Sequence, residues 1–383
     1  MSNAMSTISL NTIPTALNNE FGQMGGVCVF LKTERDLKKA RDDISNWNLN
    51  EDLNTFVEIK TFSSSGWYLL HLAASKLLID ITPNFNTLDI SAKLGFWLER
   101  EVVLAMVRSP LTYFFPSCDE FFASIRMRSN AADAARTTQI TFDTEAALRP
   151  LDYWTYVNGK GFTLNKGKSL VDALTKTITP EEDSTLYSFS CSRACEYVVL
   201  LGLTQELEET NPELLSNIEN KWRTKPLLGS DFDDAFIREQ GNFQTPFPMR
   251  FYVPGDRVWF RNPDEYSTNV TGFEGSWVVY LGFGRFSNYW EFTEPTSIEQ
   301  KCLEMFHWRH GVVRLDNGEY WMDEPLVAEY VKKSLANPQA RDAIISRMMK
   351  LHDKSGIYKD GGFISPTRDE VRWVCKPSSQ ITV

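Results

Sequence analysis

The chain has 383 residues, of which 42% are hydrophobic and 23% charged, so it is long enough for one large domain or two. Its net charge of −10 argues against nucleic acid and anionic membranes as partners, because both require clustered cations. Six scattered cysteines indicate reduced thiols rather than a disulfide framework. No apolar run approaches the ~18 residues of a membrane span, and no signal-peptide pattern is visible. We therefore expect a cytoplasmic protein, with secretion by a signal-independent route left open.

The N-terminal part of the chain, residues 5–115, is predicted to be mostly helical, with residues 1–4 set aside as an expression scar. A short buried strand is predicted at 25–33. Apolar residues at helical spacing then predict helices at 34–47, 66–81 and 89–107.

The central part, residues 116–310, mixes helices and strands. Its small residues suit close packing of a long helix at 118–138, and Asn158-Gly159 is a hairpin signal between two strands. A helix begins at Cys191 and another covers 211–222. Strand pairs are predicted within 249–264, around Pro254-Gly255, and within 276–292. A cysteine-bearing helix packed on an antiparallel sheet is an α+β arrangement, and papain-like cysteine enzymes are laid out in this way.

The C-terminal part, residues 311–383, is predicted to be a helical extension with a tail. Helices are expected at "DEPLVAEYVKKSLA" and "PQARDAIISRMMKLHD", after an earlier one at "SIEQKCLEMFHWR". The last ~25 residues look extended and polar.

The segment "LYSFSCSRACEYVVLLGL" (186–203) contains the first candidate for chemistry. Ser190 is a good N-cap residue, which places Cys191 at the first position of a helix. Unpaired N–H groups at that position favour a thiolate and can hold an oxyanion. Cys195 lies one turn further along, where an inert thiol is usual. The alternative is that Cys191 is one more core thiol. A metal site is not expected, because Cys-x3-Cys has no visible partner ligands.

A cysteine nucleophile also needs a base, and the chain has four histidines. His71 falls inside a predicted helix and His352 ends one, so both have simple structural explanations. His307 and His310 flank Trp308, and either could meet Cys191 in the folded chain as an alternative base.

These segments together resemble a known family. "YSFSCSRACEYVVLLGL" is similar to the active-site segment of the bacterial spore-type transglutaminases, the protein-glutamine gamma-glutamyltransferases of bacilli. "GDRVWFRNPD" followed by "FEGSWVVYLG" resembles the family's second signature, and the ordered likeness covers about residues 120–305. The resemblance implies a papain-like α+β domain that needs no calcium or other cofactor. It also implies that a cysteine thiolate, here Cys191, attacks a protein glutamine, releases ammonia and passes the acyl group to a lysine amine.

Three family acid–base positions differ in this chain. Ser190 and Ser276 stand where the family has glutamates, and Tyr289 stands where it has a histidine. Glu274 and Glu291 each lie two residues from one of these positions, so an extended strand would place them on the same face. They could therefore supply the missing carboxylate chemistry. Aromatic residues that could line a substrate groove are Trp154, Trp259, Trp277 and Trp290.

Three functions stay open at this point. The first is a transglutaminase-type acyltransferase that uses a glutamine donor and a lysine acceptor, both on proteins. The second is a cysteine hydrolase, deamidase or protease-like effector on the same scaffold, with His307 or His310 as base. The third is an inactive relative that only binds a protein partner, in which Cys191 would react with alkylating agents no faster than Cys195. The oligomeric state is not indicated by the sequence.

Overall fold

A computed structural model describes residues 24–46, 57–64, 66–76, 98–142, 148–179, 185–289, 294–353 and 361–383. These residues form helices and several small sheets, so the predicted α+β class is confirmed.

The N-terminal part is built around a four-stranded sheet of order β2-β3-β1-β4. Its elements are β1 (Val27–Leu31), α1 (Glu34–Asn46), β2 (Val57–Ser64), β3 (Trp67–Ala74), α2 (Leu98–Val107) and β4 (Tyr113–Phe115). Strand β3 pairs with β1 on one side and with β2 on the other. The mostly helical character predicted for 5–115 therefore does not hold for the described residues.

The predicted helix at 66–81 is wrong for residues 67–74, which form β3. A central strand buried on both faces has a continuous apolar run, and over so few residues such a run cannot be distinguished from one turn of a buried helix. Residues 67–74 form a strand because β1 and β2 pair with them on either side. The predicted helix at 89–107 is confirmed from Leu98 onward, and 89–97 lies outside the described residues.

The central part holds the cysteine helix and the second main sheet. Its elements are α3 (Cys118–Thr137), β5 (Ile140–Phe142), β6 (Trp154–Val157), β7 (Gly161–Leu164), α4 (Leu170–Ile178), β8 (Tyr187–Phe189), α5 (Cys191–Thr210), α6 (Pro212–Trp222), α7 (Ser230–Phe236), β9 (Ile237–Gln240), β10 (Arg257–Arg261), a 3-10 turn (Ser267–Asn269), β11 (Gly275–Gly282), β12 (Arg285–Phe286) and β13 (Thr296–Ser297). Strands β10 to β13 form an antiparallel sheet in chain order, and α5 packs on β11. The predicted cysteine helix on an antiparallel sheet is therefore confirmed.

Most local predictions in this part are confirmed, including the hairpin of β6 and β7 with Gly159 at a φ of 74°. The segment 249–264 differs, because only β10 forms there. Asp256 closes a turn instead of a first strand: its N–H donates to the Val253 carbonyl at 2.9 Å, and its carboxylate accepts the Val253 N–H at 2.9 Å. The side chain satisfies the backbone locally, so no strand partner is needed.

Helices α3 and α5 pack closely along their lengths. Gly202 of α5 faces Ala131 of α3, and a Cβ at position 202 would lie 2.7 Å from the Ala131 nitrogen. Further along the pair, Arg126 of α3 donates two hydrogen bonds to the buried Glu206 carboxylate of α5, at 2.9 and 2.7 Å. The small residues predicted for close packing therefore determine how near the cysteine helix comes to its neighbour.

We expect Gly202→Ala to destabilise the protein by about 1–3 kcal/mol, because the added methyl group must push two helices apart. This outcome opposes intrinsic helix propensity, which favours alanine over glycine by about 1 kcal/mol. Chemical denaturation measures the difference. Unchanged or increased stability would show that α3 and α5 do not pack as described.

The central part ends with α8 (Ile298–Gly311), and the C-terminal part consists of β14 (Val312–Arg314), β15 (Tyr320–Met322), α9 (Glu324–Leu335), α10 (Pro338–Met348) and β16 (Arg368–Val371). The three helices predicted here are confirmed. Strand β16 pairs with β9, and beyond it the Val374 and Cys375 N–H groups donate to the buried Glu120 carboxylate of α3. The side-chain amide of Asn211 donates to the Val374 carbonyl at 2.8 Å. The tail is therefore part of the central core.

Candidate active site

Cys191 is the first residue of α5, directly after the short strand β8. The Ser190 hydroxyl accepts the N–H of Arg193 at 3.4 Å, so the predicted N-cap is confirmed. The Arg149 guanidinium donates to the Ser188 carbonyl at 2.8 Å and lies 3.6 Å from the Phe189 ring centroid. These contacts fix the strand that leads into the thiol, which is itself partly buried.

Burial raises the pKa of the Cys191 thiol above its ordinary value. The backbone N–H groups of Trp277, Ser192 and Cys191 itself lower the pKa and offset part of this effect, as does the positive charge of Lys301. The helix start therefore provides the expected donors but not a net lowering of the pKa. At neutral pH the sulfur is mostly protonated, and catalysis requires a base.

Lys301 was not singled out from the sequence. It lies in the first turn of α8 with 1% of its surface exposed, and its ammonium is 2.7 Å from the Glu304 carboxylate. One sequence signal could have revealed it: Lys301 falls at helical spacing between the buried Ile298 and Met305, on the apolar face. A lysine on such a face is buried with its charge, and here that charge acts on the thiol.

Two of the changed family positions lie close to the thiol. Ser276 is buried in β11 beside Trp277, opposite Phe260 of β10. Tyr289 is 3% exposed, and its hydroxyl lies 3.8 Å from the sulfur of the fully buried Cys195. Burial raises the pKa of Tyr289 well above its ordinary value, so its hydroxyl is a neutral phenol at neutral pH. A neutral phenol and a serine hydroxyl cannot remove the thiol proton at that pH.

The two candidate carboxylates are placed differently. Glu274 precedes β11, and its side chain is exposed. Its backbone carbonyl accepts the Asn262 N–H at 3.0 Å. Glu291 lies outside the described residues, as does Trp290.

The candidate histidine bases belong to the packing of α8 against α9. His307 has both ring nitrogens engaged, one 2.9 Å from a nitrogen of His310 and the other 2.8 Å from the Ser334 hydroxyl. Both rings stack on Tyr330, with centroids 5.5 and 4.6 Å away. Burial lowers the pKa of His307 to about 4. A weakly basic imidazole with both nitrogens occupied is not arranged to accept a proton from Cys191.

Of the tryptophans predicted to line a substrate groove, the structure describes Trp154, Trp259 and Trp277. Trp154 does not line a groove. It is 1% exposed, and its indole N–H donates to the Thr177 hydroxyl at 2.8 Å, so it is a core residue. Trp259 and Trp277 lie opposite each other on β10 and β11, with ring centroids 5.1 Å apart, and both line a surface cleft of about 500 Å³. Gly275 makes room for this pair, because a Cβ there would lie 2.4 Å from the Trp259 ring.

A thiol at the first position of a helix, near backbone N–H groups, has the local features expected of a cysteine nucleophile. The sequence matches the family model for protein-glutamine gamma-glutamyltransferase over residues 85–351, more than half of the chain. The chain therefore belongs to the protein-glutamine gamma-glutamyltransferase family, and the resemblance inferred from its motifs is confirmed.

Similar proteins are bacterial. A protein-glutamine gamma-glutamyltransferase of Halalkalibacterium halodurans is 24% identical over 196 residues, which are 49% of this chain and 62% of that protein. The match thus spans less than two thirds of this relative. The structure of a transglutaminase from Geobacillus stearothermophilus without its C-terminal extension aligns with 56% of this chain and 98% of its own, at 17% identity and a TM-score of 0.38.

The part of the chain that the structure describes contains no helix long and apolar enough to cross a membrane. Over the same residues, no three His, Cys, Asp or Glu side chains converge to hold a metal ion.

Proposed function

We propose that this protein is a thiol-dependent acyltransferase that acts on glutamine side chains of proteins, with Cys191 as its nucleophile. The observation that carries the proposal is the position of the thiol at the start of α5, where the backbone N–H groups of Trp277 and Ser192 favour the thiolate. Membership of the family supports the same assignment.

In the first half of the reaction, the sulfur attacks the carboxamide carbon and a C–S bond forms. The C–N bond then breaks, and the nitrogen leaves as ammonia after receiving the proton that the thiol lost. In the second half, a lysine amine attacks the thioester carbon, the C–S bond breaks and an isopeptide bond remains. The proton lost by the amine restores the thiol. The N–H groups around the sulfur are suited to stabilising negative charge in both halves.

The acid–base step is assigned to the carboxylates of Glu274 and Glu291. Glu274 lies three residues before Trp277, whose backbone N–H favours the Cys191 thiolate, and its side chain is exposed. Replacing each glutamate by glutamine in the transfer assay, one at a time, decides which of them the reaction needs.

The test of the function is an assay that measures two products from one glutamine-containing protein: ammonia, and a labelled primary amine incorporated into that protein. We expect both to form in equal amounts. Ammonia without amine incorporation would assign the chain to the deamidases and reject transfer. Formation of neither product, with Cys191 alkylated no faster than Cys195, would reject catalysis.

A non-catalytic binding protein is the second candidate. The observation that favours it is the combination of Ser190, Ser276 and Tyr289 at acid–base positions with a thiol whose pKa is raised by burial. In that case the domain would retain its surface for proteins without the reaction.

The charge of Lys301 gives a prediction about thiol reactivity. Lys301→Met removes a cation that favours the thiolate, so the pKa of Cys191 rises further and its alkylation at pH 8 slows by about 3–10-fold, tenfold corresponding to one pKa unit. Because the pKa is already above its ordinary value, the rate in the unmodified protein should climb with pH without a plateau below about pH 9. Lys301→Arg retains the charge and serves as the control. Identical pH profiles for the Met and Arg variants would contradict the assignment.

A further inference from the structure

The cleft beside the thiol has two walls of different origin. One wall is formed by the rings of Trp259 and Trp277 from β10 and β11. The other includes Phe243 and His352, whose rings meet edge to face with centroids 5.3 Å apart. Aromatic rings on both sides provide apolar surface for the methylene groups of a long side chain.

The floor of the cleft holds a cation that is already neutralised. The Arg257 guanidinium donates to Asp369 at 2.6 Å and to Asp233 at 2.5 Å, and it lies 4.5 Å from the Trp277 ring centroid. At the rim, the exposed Glu239 carboxylate accepts the Thr367 hydroxyl at 3.2 Å. Two carboxylates therefore pair with the guanidinium, and a third lies at the rim.

The groups at the His352 end of the cleft do not change this balance, because the charges that act on His352 are the opposite charges of Arg261 and Asp353. Burial lowers the pKa of His352, so its imidazole is neutral at neutral pH. The cleft and its immediate partners thus carry a net negative charge, which attracts cations and disfavours acidic ligands.

The cleft is continuous with the candidate active site through one residue. The Trp277 indole lines the cleft, while the backbone N–H of the same residue favours the Cys191 thiolate. A ligand that contacts the Trp277 indole is therefore separated from the candidate active site by the length of one residue.

Much of the outer wall comes from residues that follow the family match. The match ends at residue 351, whereas His352, the segment 365–367 and Asp369 all line the cleft. Strand β16, which carries Asp369, is held by pairing with β9, the strand that carries Glu239. The returning C-terminal segment thus completes this cleft.

We propose that the cleft binds a second cationic group of the amine acceptor, a lysine or arginine side chain near the reacting lysine, and that Glu239 determines this preference. The inference rests on the proposed function, because it gives the acceptor its place beside the thioester. The methylenes of the second side chain pack against Trp259 and Trp277, and its charge meets Glu239 at the rim. The reacting amine itself reaches Cys191 and loses its proton as described above.

The test compares cadaverine with n-pentylamine as acceptors, since these molecules differ only in the second ammonium group. The unmodified protein should have a lower KM for cadaverine. Glu239→Gln should raise that KM about two- to five-fold, the size of one exposed charge pair, and leave the KM for n-pentylamine unchanged. Glu239→Lys should reverse the preference. Asp234→Asn, which alters an exposed carboxylate of α7 outside the cleft, is the matched control and should retain the preference.

Equal responses of the two acceptors to Glu239→Gln and Glu239→Lys would overturn the proposal while leaving the acyltransferase function intact. A binding measurement recognises the opposite case, in which the acyltransferase function fails and the cleft proposal holds. Tryptophan fluorescence of the Cys191→Ala protein, titrated with each amine, reports occupancy of the cleft without any reaction. Selective binding of cadaverine that depends on Glu239, together with no amine transfer by the unmodified protein, would support the cleft assignment and reject the proposed function.

Discussion

Cys191→Ala should abolish both ammonia release and amine incorporation, a loss on the order of 10³-fold or more, because no other group can form the thioester. Stability should change little, since the side chain is small, partly buried and at the first position of its helix. Rates are measured with the two-product assay, and stability by thermal unfolding. Retention of transfer by a folded Cys191→Ala protein would remove the thiol from the mechanism.

The chain supplies a matched control for this substitution in Cys118. It is also the first residue of a helix, α3, and it also follows a capping serine, Ser117. Burial raises the pKa of Cys118 to about 12, and two aspartates, Asp43 and Asp119, add to the effect. Cys118→Ala should therefore keep transfer within about two-fold of the original rate, because only Cys191 faces the N–H groups of β11. A large loss of transfer in this variant would mean that cysteine substitution disturbs the fold generally.

Asp256→Asn should destabilise the protein by about 3–5 kcal/mol. Asp256 is fully buried, and its carboxylate lies 2.6 Å from the guanidinium of Arg128, which is 7% exposed. Removing the negative charge leaves a buried cation without its counter-ion, and the cost of that desolvated charge dominates the result. Urea denaturation gives the free energy of unfolding for the comparison.

The contrasting substitution is Glu329→Gln, which breaks an exposed pair with Lys333 in which both side chains are about two-thirds exposed. Solvent screens that pair, so its loss should change stability by no more than about 0.5 kcal/mol. If Asp256→Asn cost no more than Glu329→Gln, the Arg128–Asp256 pair would not support the contact between α3 and the turn before β10.

Local signals predicted the central part of the chain well. Ser190 caps the cysteine helix as its residue type indicated, and Asn158-Gly159 turns a hairpin. These predictions succeed because a cap or a tight turn is satisfied by atoms within a few residues of one another. The strand at 67–74 was mistaken for a helix because its identity depends on β1 and β2, which lie elsewhere in the chain.

The candidate active site also combines features that nearby residues predict with features that depend on distant parts of the chain. The family motifs predict Cys191 as the nucleophile, yet the helix-start rule alone cannot separate it from Cys118. The rule also implied a lowered pKa, whereas burial raises it. Lys301 and Glu239, the groups we expect to adjust the thiol and the acceptor, belong to α8 and β9 and have no motif of their own.

The sequence by itself determined the α+β class, the cysteine that begins the central helix, and the family to which the chain belongs, because these depend on short-range spacing and on motifs in a fixed order. The tertiary structure decided which N–H groups and charges surround the sulfur and how the C-terminal segment completes the acidic cleft. It also removed Trp154 from the groove. Such properties depend on burial and on contacts between distant parts of the chain, and no local pattern records either.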